Sequence, residues 1–431
     1  MNEQPRRFLK RVWESVRQPA VVAPGRAADN LLELCDWLLS ERGEVSGARI
    51  ATQAMAAYQQ LGDAGRSLFF TRLVDQYAAS PDAVARAIDA YRADPSDERL
   101  HDLHVAAEPR RQELFRRLNM APGGTGTLVQ MRADLLKTLP DHPERSAVEA
   151  DLLHLFRSWF NRGFLVMQRI DWNTSALVLE RLIQHEAVHQ IQGWDDLRRR
   201  LERDRRCYAF FHPALPDDPL IFIEAALTPG ILGYVRPLLD PQSSVEDPAA
   251  ARCALFYSIT NCQEGLRGVS FGNFLIKQVV EDLSREFRKI RKFATLSPIP
   301  GFRAWLLESR DLMSASLAAV PLDGPAALAA APDEARHELM QLCAYYLLRA
   351  KRGHAPLDPV ARFHLANGAR LARLNWGGDL SYAGFSSSLG MTANYVYRMN
   401  DVEENHEAYA KDFKVVASFT LERLAREVKI P

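Results

Sequence analysis

The sequence has little that would tie it to a membrane, a secretion route, a disulfide scaffold or a nucleic acid. Its 431 residues hold no uninterrupted apolar run of about 18, the length that a membrane-crossing helix needs. Residues 1–18 mix basic positions with isolated apolar ones, so a secretory leader is not expected. The ending Lys429-Ile430-Pro431 is not a peroxisomal address of the S-K-L type. The five cysteines (Cys35, Cys207, Cys253, Cys262 and Cys343) are odd in number, widely spaced and never in a C-x-x-C pair. That argues against a disulfide framework and a zinc ribbon, and for reduced thiols in a cytoplasmic protein. Lys plus Arg and Asp plus Glu both number 54, so the formal net charge is zero. A nucleic-acid partner normally demands a strongly basic chain. A local basic groove for a phosphate-rich ligand remains compatible with this balance.

What is present is ordinary for a globular protein: 47% apolar and 25% charged residues. The length exceeds what one hydrophobic core usually organises, so two or more domains are expected. Residues 1–157 read as successive helices. Asp29 to Leu39 repeats apolar residues at helical spacing, and Ser80-Pro81-Asp82 and Ser96-Asp97-Glu98 are helix-start signals. Pro122 to Gly126 reads as a loop, after which Leu128 to Leu139 resumes helical spacing. No fixed-period repeat and no cluster of candidate catalytic residues appears in this half. Packing or assembly is its expected role.

From Ser158 the character changes. Short runs rich in aromatic and β-branched residues read as strands: Arg206–Phe211, Pro219–Glu224, Ala254–Ile259 and Phe293–Leu296. Phe274 to Phe287 reads as an amphipathic helix, with Phe274, Leu275, Val279, Leu283 and Phe287 on its buried face. Leu306 to Arg352 is helical and Ala/Leu-rich, an insertion. His364 to Tyr397 is dotted with Gly and Asn. Residues 158–431 are therefore expected to form a mixed α/β catalytic domain, and the whole chain an α+β protein.

Four constellations could do chemistry. His185-Glu186-Ala187-Val188-His189 matches H-E-x-x-H, in which two histidines one helical turn apart bind zinc and the glutamate is the base. Its context is poor. Val178, Leu182, His185 and His189 form one helical stripe, so the histidines continue an apolar face, and Gly193 follows at once. No metal is expected. The second is Gln263 to Asn273, which contains Arg267-Gly268-Val269-Ser270-Phe271-Gly272 and leads from a strand into a helix. Such a turn presents backbone N–H groups to pyrophosphate oxygens, and Arg267 adds a charge-assisted donor. The alternative is a tight turn with glycine there for packing. It fits neither G-x-x-x-x-G-K-[ST] nor G-x-G-x-x-G. The third, Thr295-Leu296-Ser297-Pro298-Ile299-Pro300, displays Ser297 at a strand end stopped by prolines. Without a G-x-S-x-G elbow, an acyl-enzyme serine is not the natural reading. The fourth, Asp358 to Ala369, sets His364 beside an Asn-Gly turn, where it is either a structural histidine or an acid–base group.

The glycine loop resembles the [QR]-x-x-G-x-[GA] loop by which GNAT-type proteins grip coenzyme A, with Ser270 where the first glycine usually stands. More broadly, SWFNRGFLV, EAVHQIQGWDDLRRRL, RRCYAFFHPALPDDPLIF, FYSITNCQEGLRGVSFGNFLIKQVV, TLSPIPGF, DPVARFHLANGARL and MTANYVY run in order from Ser158 to Tyr397 and resemble the malonyl-CoA decarboxylase family. The resemblance implies a helical N-terminal domain for assembly, followed by a GNAT-like catalytic domain with a helical insertion. It implies decarboxylation of malonyl-CoA to acetyl-CoA without metal or organic cofactor, in fatty acid metabolism. The family's catalytic serine and histidine fall on Ser297 and His364. Its coenzyme A loop falls on Arg267, Gly268, Val269, Ser270, Phe271, Gly272 and Asn273. Asn367 and Tyr395 are expected to support the site. A homo-oligomer, a tetramer by family expectation, is implied, with no nucleic-acid or membrane partner. The competing readings are a GNAT-type acyltransferase acting from acyl-CoA on an amine, and a non-enzymatic acyl-CoA sensor.

Overall fold

The fold is taken from a computed structural model of the chain, which describes residues 24–40, 43–269, 275–322 and 324–428. The chain forms two compact units: Met1–Trp159 with Gln263–Val269, and Phe160–Cys262 with Ser270–Pro431.

The first unit is helical. Its α-helices span Pro24–Ser40, Glu44–Gln59, Asp63–Gln76, Pro81–Ala93, Asp97–Ala107, Arg110–Asn119, Gly124–Thr138 and Ser146–Trp159. Both start signals act as read: the Ser80 and Ser96 hydroxyls accept from the Ala83 and Arg99 amides. The helix over Pro24–Ser40 buries Leu31, Leu34, Cys35 and Leu38, the three- and four-residue spacing of one face. Between Pro122 and Gly126 the structure departs from the expected loop. The Thr127 amide already bonds the Gly123 carbonyl, so the helical ladder begins inside the glycine cluster.

The segment Gln263–Val269 is bound into this unit. Arg132 Nη1 donates to the Gly265 carbonyl at 2.6 Å, and Gly265 packs against the helix over Gly124–Thr138. A Cβ on Gly265 would lie 1.9 Å from the Val129 carbonyl oxygen, and backbone cannot yield as a side chain can. Gly265→Ala is therefore expected to destabilise the chain by about 1–3 kcal/mol, the usual cost of overpacking. Thermal unfolding monitored by circular dichroism checks this.

The second unit is built on one mixed sheet. Its strands are β1 (Val166–Ile170), β2 (Arg205–Phe211), β3 (Ile221–Thr228), β4 (Cys253–Asn261), β5 (Lys292–Thr295), β6 (Ser297–Pro298), β9 (Arg370–Asn375) and β10 (Thr392–Tyr397); β7 (Lys351–Arg352) and β8 (Ala355–Pro356) make a separate hairpin. The order is β1-β2-β3-β4-β5-β10-β6, with β9 also on β10. β2 and β3 are buried at every residue, which requires cover on both faces. One face packs Val178, Leu179 and Leu182 onto Cys207, Ala209 and Phe222. The other packs Val235 and Leu238 against Leu255, Tyr257 and Leu296.

One feature of this sheet positions the site. β4 and β5 are parallel, pairing from Cys253↔Lys292 to Phe256↔Thr295. The Leu296 amide still reaches the Phe256 carbonyl at 2.8 Å, and there the two strands part. β4 runs on to Asn261, while β6 crosses to pair with β10, Ser297 facing Ala393. The same stretch of β4 is irregular against β3, where Tyr257 is left out of register.

Two expectations need correcting. The stripe from Val178 through His189 does not lie on one helix: the helix is Ala176–His185, and Glu186 is already extended at φ −62°, ψ 109°. The Glu186 carboxylate takes the Val188 and His189 amides at 2.7 Å each, and a backbone so engaged does not continue the helical ladder. Second, the stretch His364 to Tyr397 contains β9 and β10, which sequence patterning does not announce. Phe274, expected on a buried helical face, lies outside the described residues; the helix Leu275–Glu286 buries Leu275, Ile276, Val279, Val280 and Leu283. Among the described residues no helix is long and apolar enough to cross a membrane.

Candidate active site

Ser297 is placed by β6. Its hydroxyl donates to Thr295 Oγ1 at 2.8 Å, and Thr295 Oγ1 also accepts the Tyr395 amide at 3.1 Å. The Thr295 carbonyl accepts from Asn394 Nδ2 at 2.6 Å. The end of β5 is thus tied to β10 twice at Thr295, two residues before the serine. His364 sits on the helix Pro359–Ala366, whose start Asp358 caps by accepting the Ala361 amide at 2.7 Å, with proline at the first helical position. The helix ends at Asn367, whose Nδ2 donates to the Phe363 carbonyl.

These elements bring the two expected catalytic residues together. His364 Nε2 lies 2.9 Å from Ser297 Oγ, and both residues are buried. His364 Nδ1 lies 2.8 Å from the Tyr397 hydroxyl, and the Tyr395 ring stacks on the imidazole with centroids 4.5 Å apart. Burial drives the His364 pKa down to about 3, so the ring is neutral near pH 7. Burial likewise raises the Tyr397 phenol well above its usual range. The hydrogen-bond network assigns the tautomer. Ser297 gives its proton to Thr295, so toward His364 it accepts; Nε2 then bears the hydrogen, and Nδ1 accepts from Tyr397.

Beside this pair, where β4 and β5 part, lies a cavity of about 190 Å³. Tyr257, Ser258, Ile259 and Asn261 form one wall, Leu296, Ser297 and Pro298 another, and Pro359, Val360, Phe363 and His364 a third, with Val188 closing it. With His364 neutral, none of the described lining residues carries a charge.

Of the supporting residues read from sequence, Tyr395 lies against the imidazole, whereas Asn367 is committed to its helix end. Tyr397 was not singled out, although it lies two positions from Tyr395 and so on the same face of β10, a signal that period-two reading contains. In the proposed coenzyme A loop, Arg267, Gly268 and Val269 group with the helical unit. Arg267 and Gly268 are exposed, and Gly268 takes the left-handed φ of +83° that favours glycine. Ser270, Phe271, Gly272 and Asn273 lie outside the described residues. Among the described residues no group of three or more His, Cys, Asp or Glu side chains is placed to hold a metal. The histidines of the H-E-x-x-H match do not share a helix.

A neutral histidine bonded to a serine, set in an uncharged cavity at a parting of strands, is an arrangement that can move a proton, and the fold is α+β. Residues 163–430 match the family model of the malonyl-CoA decarboxylase C-terminal domain, and residues 77–160 that of the malonyl-CoA decarboxylase N-terminal domain. The chain belongs to the malonyl-CoA decarboxylase family, and hence to the decarboxylase enzymes. It is 37% identical over 344 residues to the mitochondrial malonyl-CoA decarboxylase of Anser anser anser, covering 72% of this chain and 68% of that one. It is 36% identical over 350 residues to the Rattus norvegicus protein, covering 73% and 71%. The crystal structure of malonyl-CoA decarboxylase from Rhodopseudomonas palustris is similar with a TM-score of 0.89 at 48% identity, over 92% of this chain and 99% of that one.

Proposed function

We propose that the chain converts malonyl-CoA to acetyl-CoA and carbon dioxide without a metal or an organic cofactor. The observation that supports this most directly is the contact of a neutral His364 with Ser297 in an uncharged cavity. Loss of carbon dioxide leaves the bonding pair of the C2–carboxylate bond on C2 and the thioester oxygen. The thioester is itself an electron sink, so hydrogen-bond donors aimed at its oxygen suffice. The stretch of β4 beyond Phe256, which has left its parallel partner, supplies backbone N–H groups for that role. Ser297 turns its hydroxyl from Thr295 to the malonyl carboxylate. A cavity with no cation favours departure as neutral carbon dioxide over the bound carboxylate.

His364 then gives its Nε2 proton to C2. As it does so, the Tyr397 hydroxyl passes its proton to Nδ1 and the ring stays neutral; a solvent proton taken up at Nε2 then sends the Nδ1 proton back to Tyr397 and restores both groups. Tyr397→Phe removes both the tautomer anchor and this proton, and is expected to lower kcat about tenfold or more with KM within threefold, measured by steady-state turnover. The loop Arg267 to Asn273 holds the coenzyme A pyrophosphate in this reading. The chain then works in fatty acid metabolism in the cytoplasm, as a homo-oligomer of four copies by family expectation.

The test is malonyl-CoA turnover by purified, EDTA-treated protein, following acetyl-CoA and carbon dioxide together. Equal release of both is expected. Turnover that returns only on adding a metal overturns the cofactor-free reading. Absence of turnover with coenzyme A still bound overturns decarboxylation in favour of an acyltransferase.

A further inference from the structure

The H-E-x-x-H match left one residue without a role. Glu186 is buried, yet it sits at a helix end where a carboxylate ordinarily faces solvent. Its oxygens accept from two directions. From its own loop come the Val188 and His189 amides at 2.7 Å each. From β4 come the Ser258 hydroxyl at 2.7 and 2.9 Å to its two oxygens, and the Thr260 hydroxyl at 3.4 Å. Val188 and Ser258 both line the cavity beside Ser297 and His364, although they lie on separate elements. The far side of the loop is held too: Arg200 Nη2 donates to the His189 carbonyl at 2.7 Å while its Nη1 bonds Glu224 at 2.9 Å.

We propose that Glu186 is a positioning residue for decarboxylation: by clamping the Val188 loop to Ser258 and Thr260, it sets the shape of the parted stretch of β4 against which the thioester is held. This rests on the decarboxylase reading above. The clamp lies just past the irregularity at Tyr257, where β4 has β3 on one side and the cavity on the other. A strand edge without a partner strand has only side-chain contacts to fix it, and here those contacts converge on one carboxylate. The carboxylate accepts from all four groups; an amide keeps Oε1 on the two backbone N–H groups but turns its Nε2 donor toward Ser258 and Thr260, whose hydroxyls must then reverse, and this loosens the hold on β4. Since most of the affinity for coenzyme A arises far from the reacting carbon, distortion of this wall acts on the chemical step. Displacement by about 1 Å costs up to about a hundredfold in rate.

Glu186→Gln, Ser258→Ala and the double variant test this by steady-state kinetics with malonyl-CoA, beside calorimetric titration with acetyl-CoA and thermal melting. Glu186→Gln is expected to lower kcat about tenfold to a hundredfold while KM and the acetyl-CoA dissociation constant stay within about threefold. Ser258→Ala is expected to lower kcat less, about threefold to tenfold, and the loss on adding Glu186→Gln to it is expected to be well below the loss in the unmutated background. A kcat within twofold of the unmutated chain, a KM that rises as much as kcat falls, or fully additive losses would each overturn the proposal. If Glu186→Gln does not fold, Ser258→Ala decides alone: an unchanged kcat refutes the clamp. No turnover by the unmutated chain overturns the decarboxylase reading and the clamp with it, whereas full turnover by both the unmutated chain and Glu186→Gln removes Glu186 only.

Discussion

Replacing His364 with alanine is expected to lower kcat by about 10²- to 10⁴-fold, the range that a positioned acid–base group supplies. KM should stay within about threefold, because in the proposed mechanism the imidazole acts on C2 and takes no part in holding coenzyme A. The ring is held at both nitrogens, Nε2 bonded to Ser297 and Nδ1 to Tyr397. Steady-state kinetics of His364→Ala against the unmutated chain checks this, and an unchanged kcat removes the residue from the mechanism.

The same residue makes a prediction about pH. Its folded pKa of about 3 lies below the ordinary 6.5, so folding disfavours its protonation. The linkage has a fixed sign. The fold is unaffected by this group above about pH 6.5 and loses stability as pH falls from there toward 3, because the unfolded chain takes up the proton first. Activity follows the folded value. The kcat profile should show no His364 limb between pH 5 and 8, and the melting temperature of His364→Gln should fall less than that of the unmutated chain between pH 7 and 5.

Ser297→Ala is expected to lower kcat by about 10²- to 10³-fold, comparable to the loss of a transition-state donor in other enzymes. Two effects combine. The malonyl carboxylate loses its hydroxyl, and His364 Nε2–H loses its partner in a buried setting, which frees the ring to turn. Product formation from malonyl-CoA under single-turnover conditions separates this from slow product release. Near-normal turnover would leave Ser297 a packing residue at the start of β6.

Much of the site was legible, for reasons that differ from residue to residue. Ser297 could be found because a strand run followed by Pro298 and Pro300 must stop, and a serine at that stop is displayed. The helix bearing His364 starts at Asp358-Pro359 as the other does at Ser80-Pro81, but only the Asn-Gly turn beside His364 was read from that stretch. The stripe from Val178 to His189 misled, because helical spacing says nothing about whether a side chain competes for the backbone amides that the next turn needs, as Glu186 does. β1 escaped notice because its exposed Gln168 and Arg169 do not alternate with a buried face. β9 and β10 escaped because buried Asn375 and Asn394, residues that normally mark turns, are held there by one another and by Thr392. Tyr397 depended on knowing that its stretch was a strand at all.

The course of the chain through its two units has a consequence for dissecting the molecule. It leaves the helical unit after Trp159, re-enters at Gln263 and leaves again after Val269, so the units share three covalent crossings, not one. A fragment beginning at Phe160 would keep Gly265, Leu266 and Val269 while losing the helix that packs on Gly265 and the Arg132 that bonds its carbonyl. Gene fusions, truncation series and domain exchanges that cut this protein at a single junction therefore orphan an apolar plug. A transferable piece has to carry both units.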